Sequence, residues 1–243
     1  MPDHLPTDPR LHLLFDLLAW GAGFAIARFL YHWRLREVGD RLAAKLTVGY
    51  VVALVVGAIL GAVLLGSAYS LRQGVPHLSH SVAGALAGAI IAIELYKTFA
   101  GIEGSTGVIW VGSLCVGIAV GRFGCLFAGL ADDTYGIATS LPWGIDLGDG
   151  IPRHPVQLYE SASMLAFLAF YLIALRRRAA WTTTRAFYWF VGWYAAQRFV
   201  WEFFKPYPRL VGPLDIFQLC ALGLLAYAWW FDARTRHRPA PQD

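Results

Sequence analysis

The sequence predicts an all-α fold: a polytopic membrane protein with seven transmembrane helices, its N-terminus outside and its C-terminus cytoplasmic. Three observations carry that expectation. The 243 residues are 57% hydrophobic and only 15% charged, whereas ordinary soluble domains are about 25% charged. Ten Trp, eleven Tyr and fifteen Phe, with a mean hydropathy of +0.51, amount to more apolar surface than one soluble core of this length hides, so the bilayer is the expected solvent. Apolar runs of about 17–25 residues, long enough to cross it, recur at 11–30, 46–66, 78–100, 107–128, 158–175, 184–204 and 210–231.

The first run follows MPDHLPTDPR, which is net acidic and lacks the basic region and small-residue cleavage pattern of a signal peptide, so it is expected to stay in the mature protein. The third carries Gly84 and Gly88, a GxxxG spacing that marks helix packing, and ends in the i, i+3 pair Glu94 and Lys97, read as structural. The fourth contains Gly121-Arg122-Phe123-Gly124. Between the fourth and fifth lies 129–157, an outer-side loop rich in Gly, Pro and Asp whose length favours a contribution to the site. The fifth run follows Pro155, which suits a first helical turn. The sixth ends in QRFVWEFF, and Asp215 opens the seventh. The segment 232–243 is expected to be a disordered cytoplasmic tail, and 1–243 a single membrane domain.

Orientation comes from the basic residues. One side holds twelve: Arg34, Arg36, Arg41, Lys45, Lys97, Arg176, Arg177, Arg178, Arg185, Arg234, Arg236 and Arg238. The other holds five, Arg10, Arg72, Arg153, Lys205 and Arg209. Lys and Arg are retained in the cytoplasm, so the tail and the odd-numbered loops face in. The net charge of +4 then marks cytoplasmic loops, and no nucleic-acid partner is expected. Cys115, Cys125 and Cys220 lie in apolar stretches with no CxxC spacing and no His cluster, so neither a disulfide framework nor a metal site is indicated, and no cofactor.

Ionisable groups inside a membrane are costly and mark function. Here they gather at outer ends: His80 opening the third span, Arg122 in the fourth, His154 and Glu160 at the entry to the fifth, Arg198 and Glu202 near the end of the sixth, and Asp215 opening the seventh. Arg198 and Glu202, spaced i, i+4, share a helix face. Arg122 sits among glycines that leave its guanidinium open to an anion, and the bidentate fork of Arg suits phosphate. His154, held extended by Pro155, is a candidate general base, with Gln157 and Glu160 three and six positions on.

The same residues carry a resemblance. GRFG with Asp133-Thr134-Tyr135-Gly136, the run LPWGIDLGDGIPRHPVQLYE and RFVWEFFKP together resemble the prolipoprotein diacylglyceryl transferases. That family is a seven-span enzyme of the bacterial cytoplasmic (inner) membrane. It moves the diacylglyceryl group of phosphatidylglycerol to the thiol of a lipobox cysteine, releasing glycerol 1-phosphate. The resemblance implies a transferase of lipoprotein biosynthesis with its site near the outer leaflet. Its partners are phosphatidylglycerol and a prolipoprotein signal peptide or another membrane-presented acceptor. It assigns catalysis to His154, Arg122, Arg198, Glu202 and Asp133, and substrate binding to Arg122, Gly124, Cys125, Gly136, Gln157, Tyr159 and Glu160. In the implied mechanism Arg122 and Arg198 hold the phosphate, Glu202 orients Arg198, His154 helps deprotonate the thiol, and Gly136 lets the loop backbone approach the headgroup.

The chain also departs from the family pattern GRxGNFxNxE. Cys125 and Ala128 stand where the family has Asn, and Asp133 matches the acidic residue only across an insertion of about three residues. The family's His-Gly-Gly aligns with Ala83-Gly84-Ala85, leaving His80 upstream, and its first-span Tyr is Phe15, beside Asp16. These changes keep two alternatives open: a non-catalytic phospholipid-binding membrane protein, and a related lipid transferase with a different acceptor.

Overall fold

The structure is a computed structural model describing residues 4–72, 74 and 78–236; the Arg72 side chain and the tail from residue 237, with Arg238, lie outside the described residues. Among them six helices are long and apolar enough to cross a membrane. The first is α1 (Arg10–Leu30), which runs through a π turn at Tyr31–Leu35 into α2 (Arg36–Ala43). Then come α3 (Val48–Arg72), α4 (Val82–Ala100), α5 (Val111–Ala128) and α6 (Val156–Arg176). After the short α7 (Trp181–Thr184) and α8 (Ala186–Trp201), α9 (Ile216–Arg236) completes the set.

The seventh expected span, 184–204, is not among these six. With 16 residues α8 rises only about 24 Å, short of a hydrocarbon core of about 30 Å. The helix tightens into a 3₁₀ turn at Glu202–Phe204 because Glu202 and Lys205 turn inward to a buried charge cluster. One face packs inward, with Phe190, Val191 and Ala195 fully buried in the core with Phe167 and Leu224, while Trp193 and Val200 on the other face are exposed. The seventh element also begins later than 210. A tight turn at Val211–Leu214 precedes Asp215, whose Oδ1 accepts the Phe217 and Gln218 N–H groups while Gln218 Oε1 accepts the Asp215 N–H. That reciprocal cap sets the start of α9. At its other end α9 continues through the segment expected to be disordered as far as Arg236, because Asp232 is tied to Arg185, Trp189 and Arg236.

Gly84 and Gly88 pack α4 on α3, as their spacing implies: a Cβ at either would collide with the backbone of Gly61 or Gly57. Glu94 and Lys97 form the expected ion pair at 2.9 Å.

One end of the bundle gathers the N-terminal segment, the 129–155 connection and the turn after α8. The Leu5 N–H donates to Asp146 O at 2.9 Å, the Asp8 N–H to Phe127 O at 2.8 Å, and the Ile137 N–H to Phe204 O at 2.7 Å. The connection is ordered by a two-stranded antiparallel sheet, β1 (Ile145–Asp146) with β2 (Pro152–Arg153), closed by a turn in which Asp146 Oδ1 accepts from Gly148, Asp149 and Gly150. Those three donors hold the Asp146 carboxyl below its usual range.

Candidate functional site

Glu160 is the pivot. It lies one turn into α6, and its carboxylate meets Arg122 of α5, Arg198 of α8 (Nη1 to Oε1, 2.8 Å) and Lys205 (Nζ to Oε1, 2.7 Å). Arg198 Nε also contacts Glu202 at 2.6 Å, and Lys205 reaches Glu202 at 3.3 Å. None of the five is more than 7% exposed. Three cations share two carboxylates, so the sealed cluster carries one positive charge in excess. Burial pushes the Lys205 ammonium below its ordinary value, and Arg198 adds to that. Such charges persist away from water only when paired and fixed in geometry.

Further polar groups are buried nearby in sequence. Gln157 Nε2, both amide atoms of Gln197, the Tyr194 hydroxyl and Glu202 Oε2 have no hydrogen-bond partner among the described residues. Of the cluster, Arg122 opens to a cavity of about 560 Å³ between α1, α4 and α5, lined also by His12, Asp16, Trp20, Gly121 and Cys125. Val82, Trp110, Ser113, Leu114 and Ile118 line both this cavity and a second, largely apolar one of about 330 Å³ that runs on between α4 and α5 toward Tyr227. Both cavities are lined mostly by apolar side chains, and Arg122, His12 and Asp16 bring charge to the first.

Beside Arg122 lies a second set of groups. Cys125 is nearly buried, one side facing Arg122 Nη1 and the other His12 Nε2, each at 3.7 Å. His12 Nε2 is 3.2 Å from Asp132 Oδ1, and His12 Nδ1 lies 2.9 Å from Asp16 Oδ2. Thr134 donates to the other Asp132 oxygen. His12, Cys125 and Asp132 place their ligating atoms within 4.8 Å of one another, a spacing that fits a metal ion.

The structure therefore joins Arg122, Glu160, Arg198 and Glu202 in one cluster and sets Cys125 at its edge. It places the remaining sequence candidates elsewhere. His154 packs on Phe204 (5.0 Å) with its Nδ1 3.4 Å from the Tyr159 hydroxyl, and no ion pair or hydrogen bond among the described residues links it to Arg122 or Glu160. Tyr159 accepts from Trp143 Nε1 at 2.8 Å. A Cβ on Gly136 would collide with the His154 carbonyl, and one on Gly124 would press on Phe15 and the His12 backbone of α1. Asp133 accepts from the Tyr69 hydroxyl, and its carbonyl from that of Tyr207. Asp215 caps α9 and faces Arg209 at 3.3 Å; burial, with Glu202 nearby, pushes its carboxyl up. His80 is exposed. Phe15 stacks on Phe123 and Phe127.

Lys205, His12 and Asp132 were not among the sequence candidates. Lys205 was legible as the i+3 partner of Glu202, and His12 as the i−4 partner of Asp16, but neither spacing names the distant group that completes the contact.

The family model described as prolipoprotein diacylglyceryl transferase matches residues 16–233. Three curated relatives, each named phosphatidylglycerol–prolipoprotein diacylglyceryl transferase, are similar to the chain. The one from Geobacter sulfurreducens is 29% identical over 219 residues, 81% of each protein. The one from Nitratidesulfovibrio vulgaris is 32% identical over 170 residues, 66% of this chain and 62% of that protein. The one from Coxiella burnetii is 27% identical over 234 residues, 90% of this chain and 80% of the relative. No solved structure matches.

Proposed function

The chain belongs to the prolipoprotein diacylglyceryl transferase family, and from that premise we propose that it transfers the diacylglyceryl group of phosphatidylglycerol to the cysteine thiol of a prolipoprotein, releasing glycerol 1-phosphate. The observation that carries this reading is the sealed cluster around Glu160 with its excess positive charge, opening through Arg122 onto a cavity with an apolar extension.

In that reading the lipid phosphate meets the Arg122 guanidinium, whose fork is fixed by Glu160. Arg198 and Lys205 stand behind Glu160 and Arg198 is oriented by Glu202, so together they keep the potential positive where charge develops on the leaving phosphate. The acyl chains run into the apolar extension. His154 and Tyr159 order the loop over the headgroup, with Gly136 allowing the close approach of the loop backbone.

We place the site in the outer half of the cytoplasmic membrane, with α8 as a short seventh crossing, the N-terminus outside and the tail inside. A phosphatase active only outside, fused after Pro152, is expected to report activity, and fused after Arg178 to stay silent; the opposite pattern places the cluster on the cytoplasmic side and overturns the assignment. Activity itself is tested by release of glycerol 1-phosphate from phosphatidylglycerol, expected only when a lipobox peptide is supplied. Bound lipid with no release in either case would mark a phospholipid-binding protein instead.

A further inference from the structure

We propose that His12 Nε2, Cys125 Sγ and Asp132 bind a divalent, zinc-type cation whose fourth position opens to the cavity, and that the acceptor thiol takes that position. The proposal deepens the transferase reading and rests on it for the identity of the acceptor.

The geometry comes first. Zinc bonds of about 2.0–2.3 Å to N, O and S in a tetrahedron put donor atoms roughly 3.3–3.7 Å apart. His12 Nε2 lies 3.2 Å from Asp132 Oδ1 and 3.7 Å from Cys125 Sγ. The three come from α1, α5 and the turn that follows α5, elements already locked together by the Asp8 to Phe127 backbone bond and by Gly124 against α1. All three donor atoms lie within 4.8 Å of one another, so closing them on one ion asks for a contraction of at most about 1 Å.

The surrounding groups are those a metal site requires. His12 Nδ1 lies 2.9 Å from Asp16 Oδ2, the kind of outer partner that orients a metal-binding imidazole, while its Nε2 faces Asp132 and Cys125. Thr134 holds the second Asp132 oxygen. One nitrogen, one sulfur and one oxygen donor disfavour magnesium and calcium, which take oxygen, and suit zinc. Three protein ligands with an open position describe a reactive zinc site, not a structural one. His12, Asp16 and Cys125 line the same cavity as Arg122, so the open position faces the lipid headgroup.

The chemistry balances without a redox partner. A thiol entering the fourth position coordinates as thiolate, and its proton leaves to solvent. Its sulfur lone pair forms the S–C bond to the terminal glyceryl carbon as the C–O bond to phosphate breaks. That bonding pair departs on the phosphate oxygen of glycerol 1-phosphate, beside Arg122. The metal stays divalent throughout. Coordinated by two thiolates, a carboxylate and an imidazole, it carries one net negative charge, which keeps the sulfur nucleophilic, and Arg122, 3.7 Å from Cys125 Sγ, balances it. The resulting thioether is a weak ligand and leaves. Cys125, standing where the family has an amide, is then a gain of ligand and not a loss of function.

The test uses the full chain, tag removed, in lipid nanodiscs. Metal analysis is expected to find about one zinc per chain, falling at least tenfold in Cys125→Ser and in His12→Ala. Cobalt exchanged into the wild type is expected to show a thiolate charge-transfer band that is lost in Cys125→Ser. The cobalt spectrum should shift on adding a lipobox peptide but not its Cys→Ser version. No retained zinc and no band in correctly folded wild type overturn the metal site. A band that the peptide thiol does not move overturns the acceptor position. A cobalt site that responds to the thiol in a chain that never releases glycerol 1-phosphate supports the metal site while the transferase reading fails.

Discussion

Glu160→Gln is expected to abolish measurable diacylglyceryl transfer and to destabilise the protein by about 3–5 kcal/mol, the cost of removing one partner from a buried ion pair. The size follows from its position. Arg122, Arg198 and Lys205 all reach the Glu160 carboxylate, and it is 1% exposed, so water does not screen the loss. The neutral amide leaves three buried cations facing Glu202 alone. Thermal unfolding in detergent, followed alongside turnover, checks both parts. A variant as stable and as active as the wild type would mean that the cluster is hydrated and that Glu160 carries none of its organisation.

Arg122→Ala is expected to lower kcat/KM for phosphatidylglycerol by about tenfold to a hundredfold, matching loss of a charge-assisted bond of about 1.5–3 kcal/mol. Arg122→Lys should recover only part of this, since an ammonium keeps the charge but not the fork. Arg198→Ala should reduce turnover comparably and also lower stability, because Arg198 bridges Glu160 and Glu202. The contrast is informative: Arg122 lines the cavity, and Arg198 stands behind Glu160. Wild-type turnover in Arg122→Ala would make that residue an interfacial anchor and remove the phosphate from this place.

Most of the fold was legible because its signal is local. A run such as 46–66 is apolar on every face, and the bilayer demands no partner to make it a helix. Helix ends were less legible, because tertiary contacts decide them. The length of α8 is cut by Glu202 and Lys205 turning inward, and the start of α9 is set by the reciprocal cap of Asp215 and Gln218. Asp232 extends α9 through a salt bridge to Arg185, 47 residues earlier.

The site divides in the same way. Arg122, Glu160, Arg198 and Glu202 stood out because each is an ionisable group in an apolar stretch, and Arg198 with Glu202 also has helical spacing. The hub role of Glu160 was not visible, since the Arg198 bond spans 38 residues and the Lys205 bond 45. His12 and Asp132 lie 120 positions apart, one at the start of α1 and the other just after α5, and nothing in either local sequence names the other. Asp133 was chosen for its spacing to Gly136. Its left-handed backbone, φ 57°, turns the chain so that its neighbour Asp132 faces His12 while Asp133 itself faces Tyr69.

The central claim is that the headgroup of phosphatidylglycerol is held at Arg122 while its diacylglyceryl group passes to a thiol. The most direct measurement is mass spectrometry of a lipobox peptide incubated with the purified chain and phosphatidylglycerol labelled only in the glyceryl carbons of its diacylglyceryl group. The account predicts a peptide heavier by the whole labelled diacylglyceryl group, attached at cysteine, with unlabelled glycerol 1-phosphate released in equal amount and the initial rates of both signals at least about tenfold lower in Arg122→Ala. A peptide that stays unmodified, or that gains mass equally in Arg122→Ala, contradicts it.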